Sequence, residues 1–130
     1  MIAPERRRRL LVVASAIGAL VGTGCARSGS DSYRPVEGGN PSRGAQALVH
    51  YGCGACHVIP GIPDAAGMVG PPLTAFARRG YIAGEVINTQ DNLIRWIEHP
   101  QAIESGTAMP DLGVTEQEAR DMTAYLYTLH

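Results

Sequence analysis

Residues 51 to 61 read YGCGACHVIPG, which places Cys53, Cys56 and His57 within five positions. Two thiols and an imidazole at that spacing can close a disulfide, ligate zinc, cycle as a redox pair or take up a haem. A Cys53–Cys56 bridge would close a loop so small that it constrains the unfolded chain little. A thioredoxin-like pair belongs at the start of a helix after a strand, whereas here the pair follows a helical pattern. A closed zinc site needs four ligands, and beyond these three only His50, His99 and His130 remain, with no second CxxC or HxxxH pair. CxxCH is also the attachment pattern of c-type haem: cysteines three apart reach both vinyl groups from one helical turn, and the next side chain points at the iron.

An iron held on one side by His57 has a second axial position. Met109, in GTAMPDLG, is the best candidate, because the glycines and Pro110 shape a loop that can present a thioether. Met68 follows His57 by only eleven residues, too soon to cross a macrocycle. Met122 falls on the apolar face of the last helical pattern, where packing is its ordinary role. His50 and His99 sit at helix ends, where a lone histidine is usually solvated.

Three helices must position these groups. Thr115 and Glu118 form a capping box, and Ala119, Met122, Leu126 and Leu129 then recur at helical spacing. Asn40 and Pro41 open a helix that runs to about Tyr51, with Ala45, Leu48 and Val49 on one face. A third begins near Thr89 or Gln90, carries Leu93, Ile94, Trp96 and Ile97, and is closed by Pro100. Residues 58 to 88 show no sustained period and read as loop, with one short helical turn near Leu73 to Arg79. No alternating run calls for a sheet, so the expected class is all-α. One phenylalanine and one tryptophan make a thin core for such a domain, and a large apolar cofactor would supply the missing surface.

The 130 residues have room for one domain and a tail. ERRRR at 5 to 9 followed by the apolar run LLVVASAIGALV at 10 to 21 has the form of an export signal. The run is shorter than the roughly 20 residues of a membrane span, although extension through Gly24 keeps an uncleaved anchor open. Cys25, after small residues, resembles the lipidated cysteine of a bacterial lipoprotein signal, with Gly22 departing from the usual leucine; ordinary cleavage near Ala26 is the alternative. Residues 1 to 25 are therefore expected to be a signal peptide or lipoprotein signal, 26 to 40 a flexible linker and 41 to 130 the folded domain. Such a linker spans about 20 Å, keeping the domain near a membrane while letting it reorient. Without residues 1 to 25 the chain keeps seven arginines against eleven carboxylates, a net charge of −4 that argues against nucleic acid as a partner.

In RGAQALVHYGCGACH, GPPL at 70 to 73, LIRWIEHP at 93 to 100, GTAMP at 106 to 110 and EARDMTAYLYTL at 118 to 129, the chain resembles a class I monohaem cytochrome c domain. The resemblance implies the cytochrome c fold, three main helices wrapped around one covalently attached haem c, with His57 and Met109 on the iron. It also implies that the Pro71 carbonyl meets the free nitrogen of His57, and that Gly44 and Tyr125 lie near the crossing of the first and last helices. Arg79 would stand near a haem propionate, with Arg78 as the one-residue-off alternative, and Trp96 would face the pocket or simply fill the core. The loop IPGIPDAAGMVGPPL is similar to that of bacterial domains that accompany haem-copper oxidases. Mitochondrial members dock through lysines, and this chain has none.

The expected function is that of a carrier rather than an enzyme: an exported electron-transfer protein on the periplasmic side of the cytoplasmic membrane, passing single electrons between redox partners. A haem-copper oxidase or other respiratory complex is a candidate partner. The alternatives are a haem c subunit held permanently in an oxidoreductase complex and a gas-binding haem protein with an open sixth site.

Overall fold

The computed structural model describes residues 35 to 130; the expected export signal, Cys25 and the expected linker up to residue 34 lie outside that range. Helix α1 (Pro41–His50) comes first, and a hairpin of β1 (Tyr81–Ile82) and β2 (Val86–Ile87) precedes α2 (Gln90–Glu98), α3 (Pro100–Ile103) and α4 (Glu116–Leu126). The three main helices begin where the sequence placed their starts. Asn40 accepts the Arg43 N–H at 3.0 Å with Pro41 in the first turn of α1, and Thr89 accepts the Asn92 N–H at 3.2 Å at the head of α2. Thr115 and Glu118 form the full capping box of α4. Pro100 ends α2, as expected, and opens α3, a short helix that sequence reading did not anticipate.

The most extensive helix contact is between α1 and α4. Gly44 makes it possible: a Cβ there would lie 2.0 Å from the Asp121 carbonyl oxygen, so only a residue without one lets the two backbones meet. Around this crossing Asp121, 3% exposed, accepts from the Asn40 N–H at 2.8 Å, from Arg43 Nε at 2.7 Å and Nη2 at 2.8 Å, and from Gln117 at 3.1 Å. Burial pushes its pKa up, but the Arg43 guanidinium and the other donors outweigh that and hold the carboxyl below the ordinary value. Tyr125, one turn beyond Asp121, donates its hydroxyl to the Pro60 carbonyl at 2.7 Å and so ties the long loop to α4.

One expectation gains a detail and one is corrected. The all-α class stands, with a small addition: β1 and β2 pair antiparallel, Tyr81 opposite Ile87 and Ile82 opposite Val86, around a turn in which both Ala83 and Gly84 have positive φ. The flexible linker was drawn to residue 40, but its last six residues dock on the domain. Val36 is 4% exposed in the core, the Gly38 carbonyl accepts from Gln117 at 2.9 Å, and the Pro35 carbonyl accepts from Gln90 at 3.2 Å. The loop after α1 is equally ordered, with Ile59, Ile62 and Ala65 buried and the Leu73 N–H on the Val58 carbonyl at 2.7 Å. The expected helical turn within 73 to 79 is a 3₁₀ turn at Phe76–Arg78. No helix among the described residues is long and apolar enough to cross a membrane.

Candidate functional site

Past the end of α1 the chain enters a 3₁₀ turn at Cys53–Ala55, and the Cys53 carbonyl accepts from both the Cys56 N–H at 3.2 Å and the His57 N–H at 3.0 Å. This tight winding turns Cys53, Cys56 and His57 toward one cavity of about 630 Å³, within the usual range of small-molecule and cofactor sites. Its apolar wall is built from all the main helices: Leu48 of α1, Leu93, Trp96 and Ile97 of α2, and Met122 and Leu126 of α4. Met109 lines it too, on the loop between α3 and α4.

The His57 ring is held from one side. Its Nδ1 lies 2.8 Å from the Pro71 carbonyl, the pairing the resemblance implies. A carbonyl can only accept, so the proton sits on Nδ1 and the Nε2 lone pair is left for a Lewis acid. Gly70 lets the loop come this close, because a Cβ there would lie 2.3 Å from His57 Cε1. The Gly70 N–H in turn donates to the Cys56 carbonyl at 2.8 Å, so the GPPL segment is fastened to the cysteine turn itself.

Cys53 and Cys56 are both free and half-buried. Burial pushes the Cys53 thiol pKa up, so it stays S–H rather than thiolate at neutral pH. Among the described residues no three His, Cys, Asp or Glu side chains group as metal ligands, which leaves the zinc reading without a ligand set. Two free thiols at a cavity edge, an imidazole with one nitrogen fixed, a thioether on a separate loop and apolar walls fit a covalently held haem.

The other expected residues are distributed as follows. Arg79 lines the cavity, donates to the carbonyls of Pro72 and of Thr74 (3.1 Å), and places its guanidinium 5.2 Å from the Phe76 ring centre. Burial lowers its pKa, yet a guanidinium remains a cation. Arg78 does not line the cavity. Trp96 is buried and lines it, so its packing and pocket roles coincide. Met68, 91% exposed, lies off the cavity, as do His50 and His99; Met122 lines it from the buried face of α4.

Sequence reasoning missed several groups. Asn88 donates to the carbonyls of Phe76 at 3.1 Å and Arg79 at 3.0 Å and accepts from the Tyr127 hydroxyl at 2.9 Å, pinning the Arg79 turn to the end of α4. Tyr51 lines the cavity with its hydroxyl on Glu118 at 2.8 Å, and the hairpin adds Tyr81 and Ile82. Gln101 grips the Met109 loop. Of these only Tyr51 stands in a motif, as the first residue of YGCGACHVIPG; Asn88, Gln101, Tyr81 and Ile82 stand in none.

Comparison with known proteins agrees with this geometry. A family model for cytochrome c matches residues 42 to 130. Cytochrome c oxidase subunit 2 of Alkalihalophilus pseudofirmus is 35% identical over 89 residues, covering 68% of this chain and 25% of that protein. Cytochrome c oxidase subunit 2 of Bacillus sp. (strain PS3) is 26% identical over 103 residues, covering 76% of this chain and 29% of that protein. The chain thus spans between a quarter and a third of the length of these relatives. Site, fold and family model coincide over the same residues, and the chain belongs to the cytochrome c family, whose members are electron-transfer haem proteins.

Proposed function

We propose that this chain carries one haem c, joined by thioether bonds to Cys53 and Cys56 and ligated by His57 and Met109, and that it passes single electrons between redox partners without catalysing a reaction of its own. The observation that carries the reading is the His57–Pro71 hydrogen bond in the wall of a cavity that Met109 also lines. Haem supplies a one-electron couple, and a methionine ligand raises its potential relative to two histidines. The residues of the chain do the rest. Pro71 fixes the His57 ring and makes it a stronger donor, and Arg79 offers positive charge to a propionate. Leu93, Trp96 and Ile97 keep water off the ring face.

The place of action in this proposal is the periplasmic side of the cytoplasmic membrane, supported by the basic and apolar N-terminal run and by Cys25 as a lipid attachment point, with an uncleaved anchor as the other route. A haem-copper terminal oxidase is the proposed partner, supported by the similarity to two subunits of cytochrome c oxidase. That similarity also favours a second reading, a haem subunit bound permanently in such a complex. Purification from native membranes separates the two, since a free carrier leaves the oxidase at high salt and a subunit does not.

The ligand set is tested by the mass and spectrum of the mature protein. One haem retained after acid–acetone extraction, with the red-end absorbance of iron–thioether bonding present in the oxidised form and absent in Met109→Ala, is the expected outcome. A Met109→Ala spectrum equal to the parent's would remove Met109 from the iron.

A further inference from the structure

The loop that carries Met109 has little backbone holding it. The last backbone-to-backbone bond before it runs from the Thr107 N–H to the Glu104 carbonyl at 3.2 Å. Among the described residues none involves positions 108 to 114, until the Ala119 N–H meets the Thr115 carbonyl in α4. A segment of this kind is held by side chains or it wanders.

One side chain does most of that work. Gln101, in α3, donates from Nε2 to the Thr107 carbonyl at 2.6 Å and to the Met109 carbonyl at 3.0 Å, while its Oε1 accepts from the Gly106 N–H at 3.3 Å. Both amide protons and the amide oxygen are thus used on the four residues that end at Met109. The base of the clamp is firm, since the neighbouring Pro100 is among the most fully buried residues in the chain. The other attachments are weaker or lie beyond the methionine: the Met109 N–H to Thr107 Oγ1 at 3.4 Å, and His99 Nδ1 to Asp111 Oδ2 at 3.3 Å.

From this arrangement we infer that Gln101 is a positioning residue for the sixth iron ligand: it sets how tightly the Met109 thioether is held and so how readily an external ligand displaces it. The inference rests on the reading of Met109 as that ligand. Gln101 is exposed and lines no part of the cavity, so its removal leaves the apolar core and the His57 side intact.

The experiment is an imidazole titration of the oxidised holoprotein, followed by loss of the iron–thioether band, for the parent, Gln101→Ala, Met109→Ala and the double variant. Imidazole binds only the fraction of molecules with methionine off, so its apparent affinity reports that fraction. Loss of the clamp is expected to tighten imidazole binding about tenfold, equivalent to about 1.4 kcal/mol in the methionine-on equilibrium. In the Met109→Ala background, read by the Soret shift, Gln101→Ala should change nothing, because there is no thioether left to position. Gln101→Glu preserves side-chain length but turns carboxylate oxygen toward two carbonyls, and it should loosen the ligand at least as much as alanine does. Parent-like imidazole affinity in Gln101→Ala overturns the inference. So does a tenfold effect that persists without Met109, which would mark a general structural role. If Met109→Ala and the parent bind imidazole equally, the ligand assignment beneath the inference is what fails.

Discussion

Gly70→Ala is the sharpest test of how the chain holds its histidine. The added Cβ would stand 2.3 Å from His57 Cε1, 2.6 Å from Nδ1 and 2.9 Å from Nε2, whereas ordinary contact starts at 3.4 Å. Ring and loop must therefore separate by about 1.1 Å. A free imidazole would swing away at little cost, but this ring is pinned by the Pro71 carbonyl and, with haem in place, by the iron. If the ring yields, its 2.8 Å bond to Pro71 stretches toward 3.9 Å, beyond hydrogen-bonding range. If the loop yields, the 2.8 Å bond from the Gly70 N–H to the Cys56 carbonyl is lost instead. Overpacking of this kind costs about 1–3 kcal/mol. The opposing gain, from restricting the unfolded chain by replacing glycine with alanine, is about 0.4–1 kcal/mol, so the substitution should destabilise.

The same argument gives a redox consequence. A hydrogen bond from Nδ1 to a carbonyl puts electron density on the ring and favours ferric iron, so weakening the bond should raise the reduction potential. Guanidinium denaturation and a redox titration of the holoprotein read both effects. Pro71→Ala is the control, because it keeps the carbonyl and should leave the potential close to the parent's. A Gly70→Ala protein matching the parent in both readouts would refute the geometry, and so would a Pro71→Ala potential displaced as far as that of Gly70→Ala.

The helix crossing and the buried polar groups give further predictions. Gly44→Ala should destabilise by about 1–3 kcal/mol despite the roughly 1 kcal/mol by which alanine favours a helix, because the new Cβ would sit 2.0 Å from a backbone oxygen that cannot turn aside; a denaturation midpoint at or above the parent's would contradict this. Asp121 has a folded pKa below its ordinary 3.8, so the stability it provides is complete above that value and is lost as pH falls through the folded pKa; Asp121→Asn should show a flatter loss of stability on the acid side, read as urea midpoint against pH. Thr123→Val should be neutral or stabilising by about 1 kcal/mol, since the Thr123 hydroxyl is buried on α4 without a hydrogen-bond partner among the described residues; a clear drop in melting temperature would show that the hydroxyl is used.

What the sequence revealed and what it concealed follow from how local each signal is. The starts of α1, α2 and α4 were legible because a cap is a short-range bond between residues three apart, as in Asn40 to Arg43 or Thr115 to Glu118. CGACH was legible because its chemistry needs fixed spacing. The hairpin was not: its strands are two residues each, and its turn puts Ala83 at φ 53°, where sequence rules expect glycine, asparagine or aspartate. Val36 looked like part of a polar tether because it is buried near Ala124 of α4, a residue distant in sequence. Gln101 and Asn88 were silent although the carbonyls they hold lie close in sequence, since an amide that fastens an irregular loop follows no fixed spacing and looks like any surface amide until the loop is in place.

These amides explain how so slight a core can support a redox site. Leu48, Leu93, Trp96, Ile97, Met122 and Leu126 all line the cavity while belonging to the packed core, so the surface offered to a haem is the same surface that holds α1, α2 and α4 together. A ligand bound there adds its binding free energy to folding, and its loss would expose the inner faces of three helices at once. Attachment through Cys53 and Cys56 would then serve stability as much as retention, by keeping the largest apolar element of the core from dissociating. The loops that close over the cavity bury apolar side chains of their own, Ile59, Ile62 and Phe76 among them, and are fastened as well by polar clamps: Asn88 on the Arg79 turn, Gln101 on the Met109 segment, Tyr125 on the Pro60 loop. Core and clamps therefore divide the labour. On the proposed reading the helices would make the ring's binding strong and the clamps would set the position of the groups offered to its iron and edge, so that a single exposed amide would change ligand exchange without changing the fold.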